Sequence, residues 1–133
     1  MVYLLDTSAL LTHYRKEIGS DKVQLIFEND SNEIFISALS IPEFGRRLKD
    51  LGADDSEIES AIAEYLLIIP AVIPADKEIA HEAFHIWNNT PGRLPLVDSI
   101  IAATAKIKSA CLVHRDKHMG LIPKKILKQM SLD

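Results

Sequence analysis

Short apolar runs that alternate with stretches of helical hydrophobic period limit this chain's fold more than any other feature. Val2–Leu5, Glu33–Ser37, Ala71–Ile73 and Cys111–His114 read as strands. Helical patterns lie between them. One carries Leu10, Leu11 and Tyr14 behind Asp6-Thr7-Ser8, whose side chains supply N-cap chemistry. Asp21–Asn29 places Val23, Ile26 and Phe27 on one side. Ser40 opens a helix to Leu51, with Pro42 in its first turn, Glu43 in capping-box position and Gly52 as its stop. Asp54–Ile69 aligns Ile58, Ile62, Tyr65, Leu66 and Ile69, and further helices span Ala75–Asn88 and Pro95–Lys108. Lys117–Asp133 suggests a helical turn and a final edge strand. This alternation predicts a three-layer α/β/α sandwich around a central, mostly parallel sheet of four or five strands. Ligands of such sheets gather at the carboxyl ends of the strands, where strand order reverses.

At 133 residues the chain suits a single domain spanning 1–133, and 47% apolar residues exclude a disordered one. No apolar run is long enough for a membrane span. Met1-Val2-Tyr3-Leu4-Leu5 meets Asp6 at once and has no basic stretch before it, unlike a signal peptide. One cysteine, Cys111, rules out an internal disulfide and fits a small core residue in a reducing cytoplasm. The formal charge of −4 argues against a protein that coats nucleic acid, but it is unevenly spread. Residues 1–92 hold 7 Lys/Arg against 16 Asp/Glu, whereas residues 93–133 hold 8 against 3. A basic C-terminal third can supply phosphate contacts to an otherwise acidic molecule.

Four acids stand where strands end or helices begin. Asp6 follows the first strand, Glu43 opens the helix after the second, Asp98 lies near the start of the helix from Pro95, and Asp116 follows the fourth strand. Taken singly, each suits a helix cap or a match to the helix dipole. Taken together, they are oxygen ligands of the kind that hold Mg²⁺ or Mn²⁺ against a phosphoryl group.

The motifs around these acids resemble a known family. Leu4-Leu5-Asp6-Thr7-Ser8-Ala9-Leu10-Leu11 is similar to the opening of a PIN domain, and Ser40-Ile41-Pro42-Glu43-Phe44 to its second motif. Gly92-Arg93-Leu94-Pro95-Leu96-Val97-Asp98-Ser99-Ile100-Ile101-Ala102-Ala103-Thr104-Ala105 closely resembles the third, and Cys111–Met119 resembles the fourth. Two positions depart from the family pattern. His114 stands where Thr or Ser is common, and Met119 where an aromatic is frequent. The resemblance implies a Mg²⁺- or Mn²⁺-dependent endoribonuclease leaving 5′-phosphate ends, with Asp6, Glu43, Asp98 and Asp116 as catalytic and metal-holding residues. Length and build further resemble VapC-type toxins of toxin–antitoxin systems, which implies a small antitoxin partner and a homodimer. A PIN-like module that binds RNA or a partner without cutting it is the alternative, although such a module has no need of converging carboxylates.

Cations near these acids, namely Arg46, Arg47, Arg93, Arg115 and Lys117, are candidates for holding RNA phosphates, with Lys49 on the same helix as Arg46. Thr7 and Ser8 are auxiliary polar groups for a water or phosphate. No aromatic-rich surface for base stacking is evident. His81-Glu82-Ala83-Phe84-His85 satisfies the zinc pattern H-E-x-x-H. Ile79, Phe84 and Trp87 instead make that segment a packed helix with its polar side in water, and no third ligand stands out.

Overall fold

In the computed structural model, which describes residues 1–133, five strands form one sheet in the order β3-β2-β1-β4-β5. The strands are β1 (Val2–Leu5), β2 (Glu33–Ser37), β3 (Val72–Ile73), β4 (Cys111–His114) and β5 (Gln129–Ser131), and all four pairings are parallel. The helices are α1 (Thr7–Tyr14), α2 (Ser20–Glu28), α3 (Ser40–Asp50), α4 (Asp55–Ile68), α5 (Lys77–Asn88) and α6 (Leu96–Ile107), with a short 3₁₀ turn at Met119–Leu121. The strand that follows the 3₁₀ turn is the edge strand expected of the C-terminal stretch. No helix is long and apolar enough to cross a membrane.

Successive strand residues point to opposite faces, so each central strand feeds two cores. Leu5 and Val113 pack with α1–α4 side chains such as Leu10, Val23, Phe44, Ile58 and Tyr65. Leu4 and Leu112 pack on the other face with Ile79, Ile86, Ile101 and Ile122. These two layers of side chains make the three-layer sandwich. Small residues on α6, including Ala102, Ala103 and Ala105, are wholly buried and let that helix lie close to the sheet. Phe44 is likewise buried, edge-on to Tyr14 at 5.7 Å and to Tyr65 at 5.4 Å. Its packing fixes how α3 is rotated and therefore where the neighbouring Glu43 points.

Two local expectations are corrected. Ser40 makes no capping bond, and the N-cap position of α3 is Leu39. The capping box fails because Ser40 already lies inside the helix, one residue past the N-cap, and its hydroxyl meets Thr7 at 3.2 Å, while Thr7 also donates to Glu43 at 2.6 Å. On α5, Ile79 is buried as expected, but Phe84 and Trp87 are 53% and 52% exposed. They line an apolar hollow with Leu94, Leu96 and Ile100 at the α5–α6 junction, so they do not pack into the core.

Gly19 precedes α2 with φ +102°, and a Cβ there would lie 2.6 Å from the Leu132 carbonyl oxygen just beyond β5. Gly52 has a similar φ of +99° with nothing within 4 Å. Gly19→Ala should therefore lower stability by about 2 kcal/mol or more, from backbone strain plus collision. Gly52→Ala should lower it by about 1 kcal/mol, from the conformational penalty alone. Denaturant melts of the two variants measure the difference, and equal losses would mean that the Leu132 contact relaxes at no cost.

Candidate active site

The parallel pairing of β1 with β4 builds the site. Its register sets Leu5 beside Val113, and the Asp6 amide continues the ladder by donating to the Val113 carbonyl at 3.1 Å. Strand order reverses here, because β2 and β3 extend the sheet on one side of β1 and β4 and β5 on the other. The two strands therefore deliver Asp6 and the segment 115–116 side by side at the carboxyl edge. Glu43 comes from the first turn of α3, after β2, and Asp98 from the first turn of α6. The four acids thus reach one end of the sheet from four separate elements.

Hydroxyls and amides of the protein hold these carboxylates in place. Asp6 caps α1 through Oδ1, which accepts from the Ala9 amide at 2.8 Å and from the Ser8 hydroxyl at 2.7 Å. The Ser8 oxygen in turn accepts from the Arg115 amide at 2.9 Å and so ties the β1 loop to the β4 loop. Thr7 donates to Glu43 and lies 3.2 Å from the Ser40 hydroxyl. Asp116 Oδ1 accepts from the His118 amide at 2.7 Å. Thr7 and Ser8 are therefore engaged with the acids and their loops. The Ser40, His118 and Arg115 contacts were not foreseen from sequence, because they join residues distant along the chain or use backbone amides.

Burial and like charge act together on two of the acids. Burial pushes the Asp6 carboxyl up to about 7, further raised by the charges of Asp116 and Asp98 and opposed by its bonds to Ser8 and Ala9. Asp98 is pushed up to about 6 by burial and by the charges of Asp116 and Glu43, with His118 pulling the other way. Each acid is thus within electrostatic reach of at least one other. Asp6 is 2% exposed. The oxygen of Asp6 that does not cap α1 has no hydrogen-bond partner within the protein. An all-oxygen donor set under mutual repulsion fits a hard divalent cation. As the side chains stand, no three His, Cys, Asp or Glu groups close into one shell.

The candidate cations divide. Arg47, Arg115 and Lys117 line a polar hollow of about 340 Å³ together with Ser8, Asp116 and His118. Arg46 and Arg93 are exposed but form no part of its wall. Arg115 is held by Asp133 at 3.1 Å and Glu17 at 3.8 Å. His81 and His85 are exposed with ring centroids 4.8 Å apart, while Glu82 pairs with Lys106 at 3.0 Å. The acid of the H-E-x-x-H pattern is thus engaged by a lysine of α6. Cys111 is buried, as a core residue would be.

The family model described as PIN domain matches residues 3–125. No curated protein matches the chain significantly. VapBC2 from Rickettsia felis, bound to a DNA fragment from its promoter, superposes with a TM-score of 0.78 at 19% identity over 100% of both chains. A toxin–antitoxin complex from Klebsiella pneumoniae gives 0.74 at 20% identity, over 98% of each chain. VapC20 of Mycobacterium tuberculosis, a sarcin–ricin loop cleaving toxin, gives 0.69 at 13% identity, over 90% of this chain and 93% of its own. At such identities the likeness is one of fold.

Because burial pushes the Asp6 carboxyl up to about 7 from its ordinary 3.8, the folded chain should bind an extra proton between those values. Stability of the metal-free protein should then fall as pH rises through that window and level off above it, with a slope of up to about 1.4 kcal/mol per pH unit from this group. Asp6→Asn keeps a capping oxygen and cannot ionise. Its stability relative to the parent should improve steadily from pH 4 to pH 7 in denaturant melts with a chelator. A difference that does not change with pH would mean Asp6 ionises in its ordinary range.

Proposed function

Since the chain belongs to the PIN domain family, we propose that it is a Mg²⁺- or Mn²⁺-dependent endoribonuclease and the toxin of a toxin–antitoxin pair. The observation that carries this reading is the delivery of four acids to one end of the sheet from four elements, where burial first and mutual charge second push Asp6 up to about 7 and Asp98 up to about 6. A module that only binds gains nothing from such repulsion, whereas a phosphodiesterase site needs it once a cation is present.

Asp6, Glu43, Asp98 and Asp116 would hold the ion, directly or through water. When bound, it supplies positive charge at the phosphoryl group and lowers the pKa of a water. Thr7 keeps Glu43 aimed, and Ser8 keeps Asp6 and the Arg115 loop in register. Arg47 and Lys117 sit on the wall of the polar hollow beside Asp116, where they offset the repulsion between RNA phosphates and the acids. Water adds to phosphorus in line, and the bond to the 3′ oxygen breaks, leaving a 5′-phosphate and a 3′-hydroxyl. Fold likeness to toxins solved with antitoxins supports a small protein partner, and we extend that to a homodimeric toxin in the cytoplasm.

Mapping of 5′ ends on total RNA tests the reaction. Cleavage should require Mg²⁺ or Mn²⁺ and stop with chelator, and Asp98→Asn should lower it by about 100-fold or more. In the absence of metal, Asp98→Asn should be at least as stable as the parent, because a repelling charge is gone. The double variant His81→Ala/His85→Ala should cleave as the parent does. Its complete loss of cleavage in a folded protein would transfer the chemistry to the H-E-x-x-H helix, and a parent that binds RNA without cutting it would be a binding module.

The position of the cations generates a graded expectation. Arg47→Ala and Lys117→Ala should each weaken RNA binding and reduce the salt slope by about 1, while Arg46→Ala changes both less. Salt titrations of binding measure this. Equal effects at Arg46 and Arg47 would mean that the polar hollow is not the phosphate path.

A further inference from the structure

His114 closes β4 and is buried, 3% exposed, two residues before Asp116. Its ring has a definite partner at each nitrogen. The Asp116 amide donates to Nδ1 at 3.2 Å, and Nε2 lies 3.0 Å from Oε1 of Gln129 on the neighbouring edge strand β5. Gln129 Nε2 donates to the Ile122 carbonyl at 2.8 Å, which fixes the orientation of that amide. Gln129 Oε1 can therefore only accept, and the Asp116 amide can only donate. One protonation form satisfies both, the neutral ring with a bare Nδ1 and a proton on Nε2. The opposite tautomer would set two donors face to face at Asp116 and two acceptors face to face at Gln129.

We propose that His114 is a positioning residue for the acidic site: its bare Nδ1 holds the Asp116 amide, and Gln129 locks the tautomer that makes this possible. The arrangement is a side-chain acceptor at one residue taking the amide two residues on, the geometry by which Ser, Thr, Asn and Asp shape turns. The next turn repeats it, with Asp116 Oδ1 taking the His118 amide. The first bond orients the backbone of Asp116 and the second its carboxylate. Loss of the first frees the loop to rotate the carboxylate away from Asp6 and Asp98. The consequence for catalysis rests on the proposed ribonuclease function; the tautomer and its effect on the loop do not.

Two measurements test this. Long-range ¹H–¹⁵N spectra of the parent, with His114 assigned by through-bond correlation of its ring to its own backbone, should show Nδ1 unprotonated and Nε2 protonated at neutral pH. A proton on Nδ1 overturns the proposal, and this reading needs no variant to be active. The second measurement compares His114→Thr with His114→Val, which leave the same cavity and differ only in the hydroxyl acceptor. The Thr variant should bind Mn²⁺, read by electron paramagnetic resonance, and cleave RNA within about 3-fold of the parent. The Val variant should lose about 10- to 100-fold in Mn²⁺ affinity and in kcat, with KM for RNA unchanged. Equal behaviour of the two overturns the positioning role, since a purely structural histidine would make them alike. If the parent cuts no RNA, the ribonuclease reading fails, while the spectra and the Mn²⁺ titrations still decide the role of His114. If neither variant folds, the spectra of the parent decide it.

Discussion

Like charges brought into one cleft repel, and the carboxyl end of this sheet is organised to hold them against that force. The restraint begins with the β1–β4 ladder. Its parallel register, extended by the Asp6 amide, fixes Asp6 relative to the segment carrying Asp116 before any side chain is considered. The Ser8 hydroxyl then clasps the two loops together, and Thr7 anchors Glu43 to the same turn. The hydrophobic cores on the two faces supply the free energy that tolerates a carboxyl as buried as Asp6.

The same logic explains why the helices are packed as they are. α3 carries Glu43, and its rotation is set by the next residue, Phe44, wedged between Tyr14 and Tyr65. α6 carries Asp98, and its closeness to the sheet follows from alanines that leave no bulk between helix and strands. Packing of this kind is sharply position-dependent, because interiors have little free volume to absorb a shift. The aim of each acid is therefore determined by neighbours in the core as much as by its own bonds.

How far these features were legible depends on how local their cause is. Strands and helices followed from hydrophobic period and local punctuation, and β2 and β4 begin and end where the sequence places them. The acids were visible as carboxylates at strand ends and within motif resemblances. What escaped were features decided by distant partners. Ser40 and Glu43 spell a capping box, but the helix starts one residue earlier, and Thr7, thirty-six residues before Glu43, engages both side chains. Phe84 and Trp87 share α5 with buried Ile79, and helical spacing alone could not say which rings the sheet would cover. His114 stood out only as a departure from a family pattern, because its partner Gln129 lies on another strand.

For Asp6 and Asp116, the structural and chemical readings are compatible because a carboxylate has two oxygens. Oδ1 of Asp6 caps α1, and Oδ1 of Asp116 closes the turn to His118, which leaves the second oxygen of each available. Bonds at the first oxygen restrict rotation about the carboxylate, so the second is aimed before any ligand arrives. A capping role is then part of the preorganisation of a site, and it raises the expected precision of an acid that serves both. This also decides which substitution is informative. Asparagine keeps an oxygen for the cap and removes only the charge, whereas alanine removes both and confounds a lost ligand with a frayed helix. The sequence alone, which offers cap and ligand as rival readings of each acid, contains no information on this division of labour between oxygens.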